Sequence, residues 1–368
     1  MSSSDAEEAL CQIRDQVARL QHRYATPERL KALLDQTVGF DRALWQAAVE
    51  QGQPAIAVPE HAGGMGMGWP GLAALMEEVG KAVVSLPLIA TPVVAEALLA
   101  SDDEAPAARY LAPLVSGELI ACVAFAEPGQ TSPLQRPELA CSGDTLNGSK
   151  AAAAFAAVAD LALVHADADG ASQLMLVPLD QPGVTRRTQP GLDNARAHAA
   201  LQFRDAKAYP LLRGDAAIGK IMARVALATA FEQIGGASAC LACARGYALE
   251  RKAFGQPIGR FQAIKHKLVD MYWRIEIARG CALDALDALE GGNPLWPALA
   301  AAARLAAIEA YDFAARENIQ THGAMGVTWE AMPHHYYRRA RCLALELGST
   351  QAWREYLLAE AGFDAAAA

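Results

Sequence analysis

The chain has 368 residues, of which 53% are hydrophobic and only 7% aromatic, and its formal net charge at pH 7 is −9. A negative chain without a long basic run excludes nucleic acid and anionic membrane surfaces as expected partners, because both would repel it. The alanine-rich composition favours a soluble, mostly helical protein with more than one packed layer.

The chain shows no sign of export or of a membrane span. Its first residues, MSSSDAEEALCQIRDQ, are polar and acidic, unlike a signal peptide. The longest apolar runs, such as residues 85–100, are shorter than the roughly 20 residues that cross a bilayer. The seven cysteines are scattered and odd in number, as in proteins of a reducing compartment. We therefore expect a cytoplasmic protein.

Three regions follow one another along the chain. Residues 1–117 show helical periodicity broken by loops rich in proline and glycine. Residues 118–212 contain short β-like runs separated by glycine, aspartate, asparagine and proline, which predicts an antiparallel β domain. Residues 213–368 are helical again and predict a four-helix-type bundle, with helices over 216–250 and 295–320. The predicted fold class is mostly α with a central β domain.

The stretch YALERKAFGQPIGRFQAIKH (247–266) is the most informative for chemistry. A helix carrying Arg251 breaks at Gly255 and Pro257 and restarts near Gln262. A cation and an amide beside a tight turn could hold a phosphate or a heterocycle from a facing subunit. The alternative is a helix hairpin with solvated charges. No metal site is predicted, because Cys240 and Cys243 lack a second ligand pair.

This stretch resembles the FAD-binding signature of the acyl-CoA dehydrogenase family, and the resemblance extends over nearly the whole chain. Several further matches occur in the same order as in that family: LWQAAVEQGQPAIAVPEHAGGMGMG, MEEVGKA (76–82), CVAFAEPGQTS (122–132), LNGSKAAAAFAAVADLALVHA (146–166), IQTHGAMGVTWE (319–330) and RRARCLALELGSTQ (338–351). The segment TWEAMPHHYYRRAR (328–341) is similar to a subgroup that acts on bulky acyl-CoAs, including steroid side chains. Some members of that subgroup are heteromeric, with one subunit type lacking the catalytic base.

The resemblance implies an FAD-dependent enzyme that converts an acyl-CoA to a trans-2-enoyl-CoA. In the family a carboxylate removes the α-proton, the β-hydrogen leaves as hydride to the flavin, and electrons pass to an electron-transfer flavoprotein. FAD shared between subunits implies a homo- or hetero-oligomer, either a dimer or a tetramer. Ten residues fall on cofactor-contacting positions of the family: Glu127, Ser132, Arg251, Phe254, Gln262, Gln320, Gly323, Gly326, Ser349 and Gln351.

The sequence departs from the family where the flavin would lie. Ala126 replaces the usual threonine before Glu-Pro, and the β-domain loop ends Thr131-Ser132-Pro133 instead of Gly-Ser-Asp. Ala152 and Ala154 stand where many members place an aromatic residue and a threonine. These changes remove hydrogen-bonding groups and leave space. Either a bulkier substrate fills that space, or flavin binding depends on a partner.

The position of the catalytic base is open. The usual residue is replaced by Leu347, and Glu346 beside it should point elsewhere, because one helical step rotates a side chain by roughly 100°. A second family position corresponds to Val225, which has no acidic group.

Glu232 lies seven residues further along the same helix. Its small neighbours, including Gly235 and Gly236, would leave it partly desolvated with room for a ligand. Glu232 is therefore the candidate base. The alternatives are a structural glutamate paired with Arg224, or a chain with no base of its own that serves as one subunit of a heteromeric enzyme.

Overall fold

The computed structural model describes residues 3–363, so the outermost residues of the first and third predicted regions lie outside it. The first part of the chain is helical, as predicted. Six α-helices follow one another before the first strand: α1 (Ser3–Tyr24), α2 (Pro27–Leu34), α3 (Arg42–Glu50), α4 (Gly68–Ala82), α5 (Ala90–Leu99) and α6 (Glu104–Val115). Polar side chains fix where several of them begin, because they satisfy free backbone N–H groups of the first turn. Asp41, for example, accepts from Leu44 N at 2.9 Å.

The central β domain is one sheet of eight strands: β1 (Ala121–Ala124), β2 (Ala140–Ser142), β3 (Thr145–Ala153), β4 (Leu161–Ala168), β5 (Ala171–Pro178), β6 (Val184–Thr188), β7 (Ala199–Lys207) and β8 (Tyr209–Arg213). The strands lie in the order β6-β7-β3-β2-β4-β5-β8, and β1 pairs with β4. β4 and β5 are almost wholly buried, as their continuous apolar sequences suggest.

The sheet is mixed: five of its strand pairs are antiparallel, as predicted, and two are parallel. β1 pairs with Leu161–Val164 of β4, and β2 pairs with Asp167–Ala168 of the same strand, both in parallel. The chain leaves the sheet after Ala124 and re-enters at Ala140 along the same edge of β4. Short runs and turn residues in a sequence do not reveal such a detour, because they carry no information on strand direction.

The last part of the chain is a helical bundle. It contains three long helices, α7 (Asp215–Glu250), α8 (Gln262–Glu290) and α9 (Trp296–His322), followed by α10 (Pro333–Glu346) and α11 (Thr350–Glu360). The helices predicted over 216–250 and 295–320 are α7 and α9. α7 is long and apolar enough to cross a membrane by length and composition alone, but 78% of its most apolar window is buried inside this protein. It is the core helix of the bundle.

Helices α4 and α7 cross in direct backbone contact. A Cβ atom at Gly80 would lie 1.9 Å from Glu232 O, and one at Gly235 would lie 1.9 Å from Glu77 O. At Gly236 a Cβ would lie 2.3 Å from Cζ of Tyr311. The expectation that the two α7 glycines leave room for a ligand is therefore wrong. Gly235 lets α4 approach α7 closely, and Gly236 makes room for the Tyr311 ring of α9.

Replacing Gly235 by alanine should destabilise the protein by about 1–3 kcal/mol, because the new methyl group overlaps the α4 backbone. Urea unfolding followed by circular dichroism measures the effect. Gly246→Ala is the matched control, because Gly246 is exposed on the same helix and its Cβ would meet no heavy atom within 4 Å among the described residues outside its own helix backbone. That control should be neutral or gain up to about 1 kcal/mol. Equal losses at both positions would contradict the contact.

Candidate active site

A cleft opens between the β domain, the loop before α5, α7 and the end of α10. Most of its wall is apolar and built from small residues. Residues 122–126 and 151–155 provide the β-domain side, and Met222, Val225 and Thr229 provide the α7 side. Ala152 and Ala154, noted above for their small size, are both on this wall. Arg196, Glu232 and Glu346 form its charged end.

Glu346 lies at this charged end of the cleft, and the expectation that it points elsewhere than the usual base stays a prediction. Helix α10 ends at this residue, and its carboxylate accepts from Arg196 Nη2 at 2.8 Å and contacts His198 Nε2 at 2.9 Å. Burial favours the neutral acid, but the charge of Arg196 and the hydrogen bonds from His198 and Arg196 outweigh it and hold the pKa of Glu346 well below its usual value. Such a carboxylate is a poor proton acceptor, which weighs against Glu346 as the catalytic base.

Glu232 is fully buried and accepts hydrogen bonds from two guanidinium groups. Arg196 Nη1 lies 3.0 Å and Arg339 Nη1 lies 3.1 Å from the same carboxylate oxygen. The carboxylate is therefore removed from water, as its small neighbours suggested, but two charged groups also surround it. Arg224, the predicted structural partner, instead pairs with Glu96 at 2.7 Å. A substrate proton would have to compete with two charge-assisted hydrogen bonds for this carboxylate. The geometry weighs against Glu232 as a base, although its role stays a prediction.

The two arginines are held in place by the local backbone. Asp193 accepts from Ala195 N at 3.2 Å, which closes the turn leading to Arg196, and its other oxygen accepts from Arg339 Nε at 2.5 Å. Phe155 N donates to Arg196 O at 2.7 Å, and the Phe155 ring lies 5.2 Å from the guanidinium. Phe155 has φ 62°, a strained conformation for a bulky residue. Arg196 is therefore fixed from several sides.

Sequence reasoning missed Arg196 and His198 as site residues. They lie in the segment NARAH (194–198), which has no motif and follows an irregular loop. Arg339 belongs to the RRAR segment quoted above, but the sequence does not show which groups it contacts. His198, Cys342 and Glu346 place possible metal-binding atoms within 4.8 Å of one another. The guanidinium of Arg196 already contacts both oxygens of Glu346 and supplies the positive charge there.

Glu127, predicted to flank the flavin, is 3% exposed and bound internally. Its carboxylate accepts from Lys150 Nζ at 2.5 Å and from the backbone N–H groups of Glu138 and Leu139 at 2.7 and 3.1 Å. Burial lowers the pKa of Lys150 to about 8, against the opposing effect of Glu127. Ser132 Oγ accepts from Leu134 N at 3.2 Å. In the structure both residues shape the loop between β1 and β2.

Ser349 and Gln351 lie beside the cleft at the start of α11. Ser349 Oγ accepts from Ala352 N at 3.1 Å and caps the helix, and Gln351 Nε2 donates to Glu355 at 2.9 Å. Ser349 N donates to Thr131 O at 3.0 Å, so the C-terminal motif and the β-domain loop meet, as the predicted site requires. Leu347, at the usual position of the base, lines the cleft.

The remaining predicted cofactor contacts lie on the outer surface of the bundle, away from the cleft. Arg251, Phe254 and Gln262 surround a two-stranded hairpin, β9 (Lys252–Ala253) and β10 (Gln256–Pro257). Phe254 is 94% exposed at its tip and has φ 51°. Gln320 and Gly323 are exposed. Gly326 is buried, and a Cβ atom there would lie 2.7 Å from Ile319 O. A strained, exposed aromatic residue is suited to a contact outside this chain.

Comparison with known proteins gives the family. The model of the acyl-CoA dehydrogenase N-terminal domain matches residues 7–118, and that of the C-terminal domain matches residues 212–361. The acyl-CoA dehydrogenase IpdE2 of Mycobacterium tuberculosis is 34% identical over 329 residues, which cover 89% of each chain. The chain belongs to the acyl-CoA dehydrogenase family. Members of this family are FAD flavoproteins and oxidoreductases acting on CH–CH bonds.

Solved structures confirm the resemblance of this acyl-CoA dehydrogenase to the steroid-type subgroup. A variant of the Tcur3481-Tcur3483 steroid ACAD superposes with a TM-score of 0.91 at 29% identity, over 98% of this chain and all of that one. The ChsE4-ChsE5 complex from Mycobacterium tuberculosis superposes with a TM-score of 0.87 at 25% identity, over 97% of this chain and 98% of that one.

Substitutions of Arg196 and Glu346 should have interdependent effects on the free energy of unfolding. Arg196→Met leaves two buried carboxylates short of a partner and should cost about 3–5 kcal/mol of unfolding free energy. Glu346→Gln should also destabilise, because Arg196 loses an ionised partner. In the double variant Arg196→Met/Glu346→Gln the loss should be clearly smaller than the sum of the two single losses. Urea unfolding of the four proteins measures the coupling, and strictly additive losses would contradict the described contact.

Acid should remove the stability that Glu346 contributes. Its folded pKa lies below the value of 4.5 for a free carboxyl, so the contribution is complete above that pH and is lost as the pH falls towards the folded pKa. The difference in unfolding free energy between wild type and Glu346→Gln should therefore be constant from pH 7 to about 5.5 and shrink from about pH 4.5 downward. Urea unfolding across this range tests it. A difference that grows on acidification would contradict the assignment.

Proposed function

We propose that this chain is the subunit without a base in a heteromeric acyl-CoA dehydrogenase. The assembly would oxidise the α,β-bond of a bulky acyl-CoA to a trans-2-enoyl-CoA and pass the electrons to an electron-transfer flavoprotein. One observation carries the proposal. The two carboxylates that line the cleft, Glu232 and Glu346, are both bound to arginine, and Leu347 occupies the usual position of the base.

The reaction requires a free base, because the α-proton of a thioester is a very weak acid. It also requires donors that stabilise the charge developing on the thioester carbonyl. The donors at the charged end of this cleft are already used, since Arg196 binds both glutamates and Thr229 Oγ1 donates to Val225 O at 2.7 Å. We infer that a partner subunit supplies the carboxylate from its own cleft.

Two parts of the chain differ in their fit to FAD, the group that accepts the hydride in this family. The exposed Arg251, Phe254, Gln262 and Gln320 fit a cofactor that a neighbouring subunit holds, because they face outward with charged, aromatic and amide groups. The alanines on the inner wall of the cleft, by contrast, offer no side-chain hydrogen bonds to a flavin ring. We therefore propose that this chain binds FAD mainly through its outer surface, at the partner's site.

One structural relative supports a bulky acyl group, because its name describes it as a steroid ACAD. For the subunit role, the names of two relatives each join two different chains, Tcur3481-Tcur3483 and ChsE4-ChsE5. We keep the cytoplasm as the proposed location, in agreement with seven free cysteines.

The alternative is a complete dehydrogenase in which Glu232 is the base. Its position at the end of the cleft, next to Thr229 and Val225, favours this second candidate. The visible spectrum of the purified protein separates the two functions. The subunit without a base should be colourless or weakly yellow alone and gain FAD and acyl-CoA oxidation when co-produced with a base-bearing partner subunit. A complete enzyme should be yellow alone and bleach on addition of a suitable acyl-CoA.

Glu232→Gln tests the base directly in the co-produced complex. We expect flavin bleaching by acyl-CoA to remain within about two-fold of the wild-type rate, because the proton goes elsewhere, whereas removal of a general base typically costs 10²–10⁴-fold. FAD content, read from the absorbance ratio of flavin to protein, shows whether the variant is still assembled. Loss of bleaching with FAD content unchanged would establish Glu232 as the base and reject the subunit proposal.

A further inference from the structure

Three side chains with metal-binding atoms meet at the charged end of the cleft. His198 directly precedes β7, and Cys342 and Glu346 lie in α10. Their ligand atoms are within 4.8 Å of one another, and no second group of His, Cys, Asp or Glu side chains meets this criterion within the described part of the chain. All three are only partly buried, so an ion can reach them from solvent. No sequence motif indicates this group, because 144 positions separate His198 from Cys342.

The distances between the three ligand atoms resemble those around a tetrahedral zinc ion. Cys342 Sγ lies 3.9 Å from His198 Nε2 and 3.5 Å from Glu346 Oε1. His198 Nε2 lies 2.9 Å from the same oxygen. Zinc bonds of about 2.3 Å to sulfur and about 2.0–2.2 Å to nitrogen and oxygen separate tetrahedral ligand atoms by roughly 3.4–3.6 Å. Each observed distance is within about 0.5 Å of that range, so small side-chain rotations complete the geometry.

The backbone places the three side chains without help from a metal. Cys342 and Glu346 are four residues apart in α10, so they lie on the same face of the helix, one turn apart. His198 follows Ala197, whose φ is 46°, and its carbonyl oxygen accepts from Gln189 N at 2.9 Å. Ligands that the fold already orients lose little conformational entropy when a metal binds. The site is therefore largely formed in the metal-free chain.

The contact between Arg196 and Glu346 is compatible with a metal. A carboxylate has about four lone-pair sites, and Arg196 uses one on each oxygen, through Nε at 2.5 Å and Nη2 at 2.8 Å. Because the ionised carboxylate can only accept, His198 Nε2 and Cys342 Sγ both donate to the remaining side of Oε1. A metal ion can replace these two hydrogens while the guanidinium keeps orienting the carboxylate, as outer hydrogen bonds do at metal sites.

We propose that His198, Cys342 and Glu346 bind one zinc ion, with water as the fourth ligand. A thiolate, an imidazole and a carboxylate suit zinc, whereas magnesium and calcium prefer oxygen ligands alone. On binding, the Cys342 thiol releases its proton to solvent, and the proton of His198 moves from Nε2 to Nδ1. The ion clamps the segment before β7 to α10. The inference does not depend on the proposed function, because it requires only side chains of this chain.

Cobalt titration of the full, tag-free and reduced chain tests the site directly. Co²⁺ occupies zinc sites, and a thiolate ligand gives a sulfur-to-cobalt charge-transfer absorption in the near ultraviolet that added Zn²⁺ removes. Wild type should reach the maximum at one Co²⁺ per chain. Cys342→Ala should lose the absorption and bind Zn²⁺ at least about 100-fold more weakly, because loss of an outer hydrogen-bond partner alone typically costs about 10–100-fold.

Cys243→Ala is the matched control. Cys243 is also partly buried, and its Sγ lies 3.7 Å from His322 Nε2, but the described residues offer this pair no third ligand within the same range. The variant should titrate as wild type, which shows that a cysteine–histidine pair alone does not give the absorption.

Thermal unfolding followed by circular dichroism tests the clamp. A ligand that binds only the folded state stabilises it, so Zn²⁺ should raise the unfolding midpoint of wild type and of Cys243→Ala. The midpoints of Cys342→Ala and His198→Asn should not respond. The proposal is overturned if wild type gives no charge-transfer absorption, if Cys342→Ala keeps it, if Cys243→Ala loses it, or if Zn²⁺ leaves the wild-type midpoint unchanged.

Discussion

A buried group of charges, drawn from three parts of the chain, determines the relation between the β domain and the bundle. Asp193 and Arg196 come from the segment before β7, Glu232 from α7, and Arg339 and Glu346 from α10. Each ion is stable in the interior only because the others are in place, since a buried charge that loses its partner costs several kcal/mol. The β domain therefore cannot shift against the helices without breaking ion pairs. This constraint fixes the width and polarity of the cleft.

The same charges leave few free polar side chains in the cleft. The carboxylate oxygens of Glu232 and Glu346 are hydrogen-bonded to guanidinium groups, and apart from Thr229 the rest of the wall is alanine and other apolar residues. The backbone reinforces this arrangement, because Phe155, whose N–H donates to Arg196 O, and Ala197, which follows Arg196, both have positive φ, at 62° and 46°. Such conformations persist only where the surroundings hold them firmly. Arg196 is therefore a fixed structural part of the site and not a mobile surface cation.

Local signals in the sequence were enough to predict the helices and to identify the positions at which the chain departs from the family. Helices were predicted over 216–250 and 295–320, where α7 and α9 lie, and the identities of Leu347, Ala152 and Ala154 could be read directly. The contacts of the charged end could not, because Arg196 lies 36 residues from Glu232 and 150 from Glu346. Pairing over such separations depends on the fold.

The space beside small residues was equally hard to interpret from the sequence. Gly235 suggested space beside Glu232, whereas the structure fills that space with the α4 backbone. A sequence shows that a side chain is missing but not which atoms take its place. For the same reason the direction of β1 and β2 could not be read from their residues.

The exposed hairpin also bears on how the chain must be produced. Phe254 at its tip is almost completely open to water, and an unassembled copy would display this aromatic residue together with the apolar residues of α8. Surfaces of this kind are bound by chaperones and lead to aggregation when they stay uncovered. In the proposed assembly, making this chain in amounts matched to the subunit that covers the hairpin would keep the number of unassembled copies low.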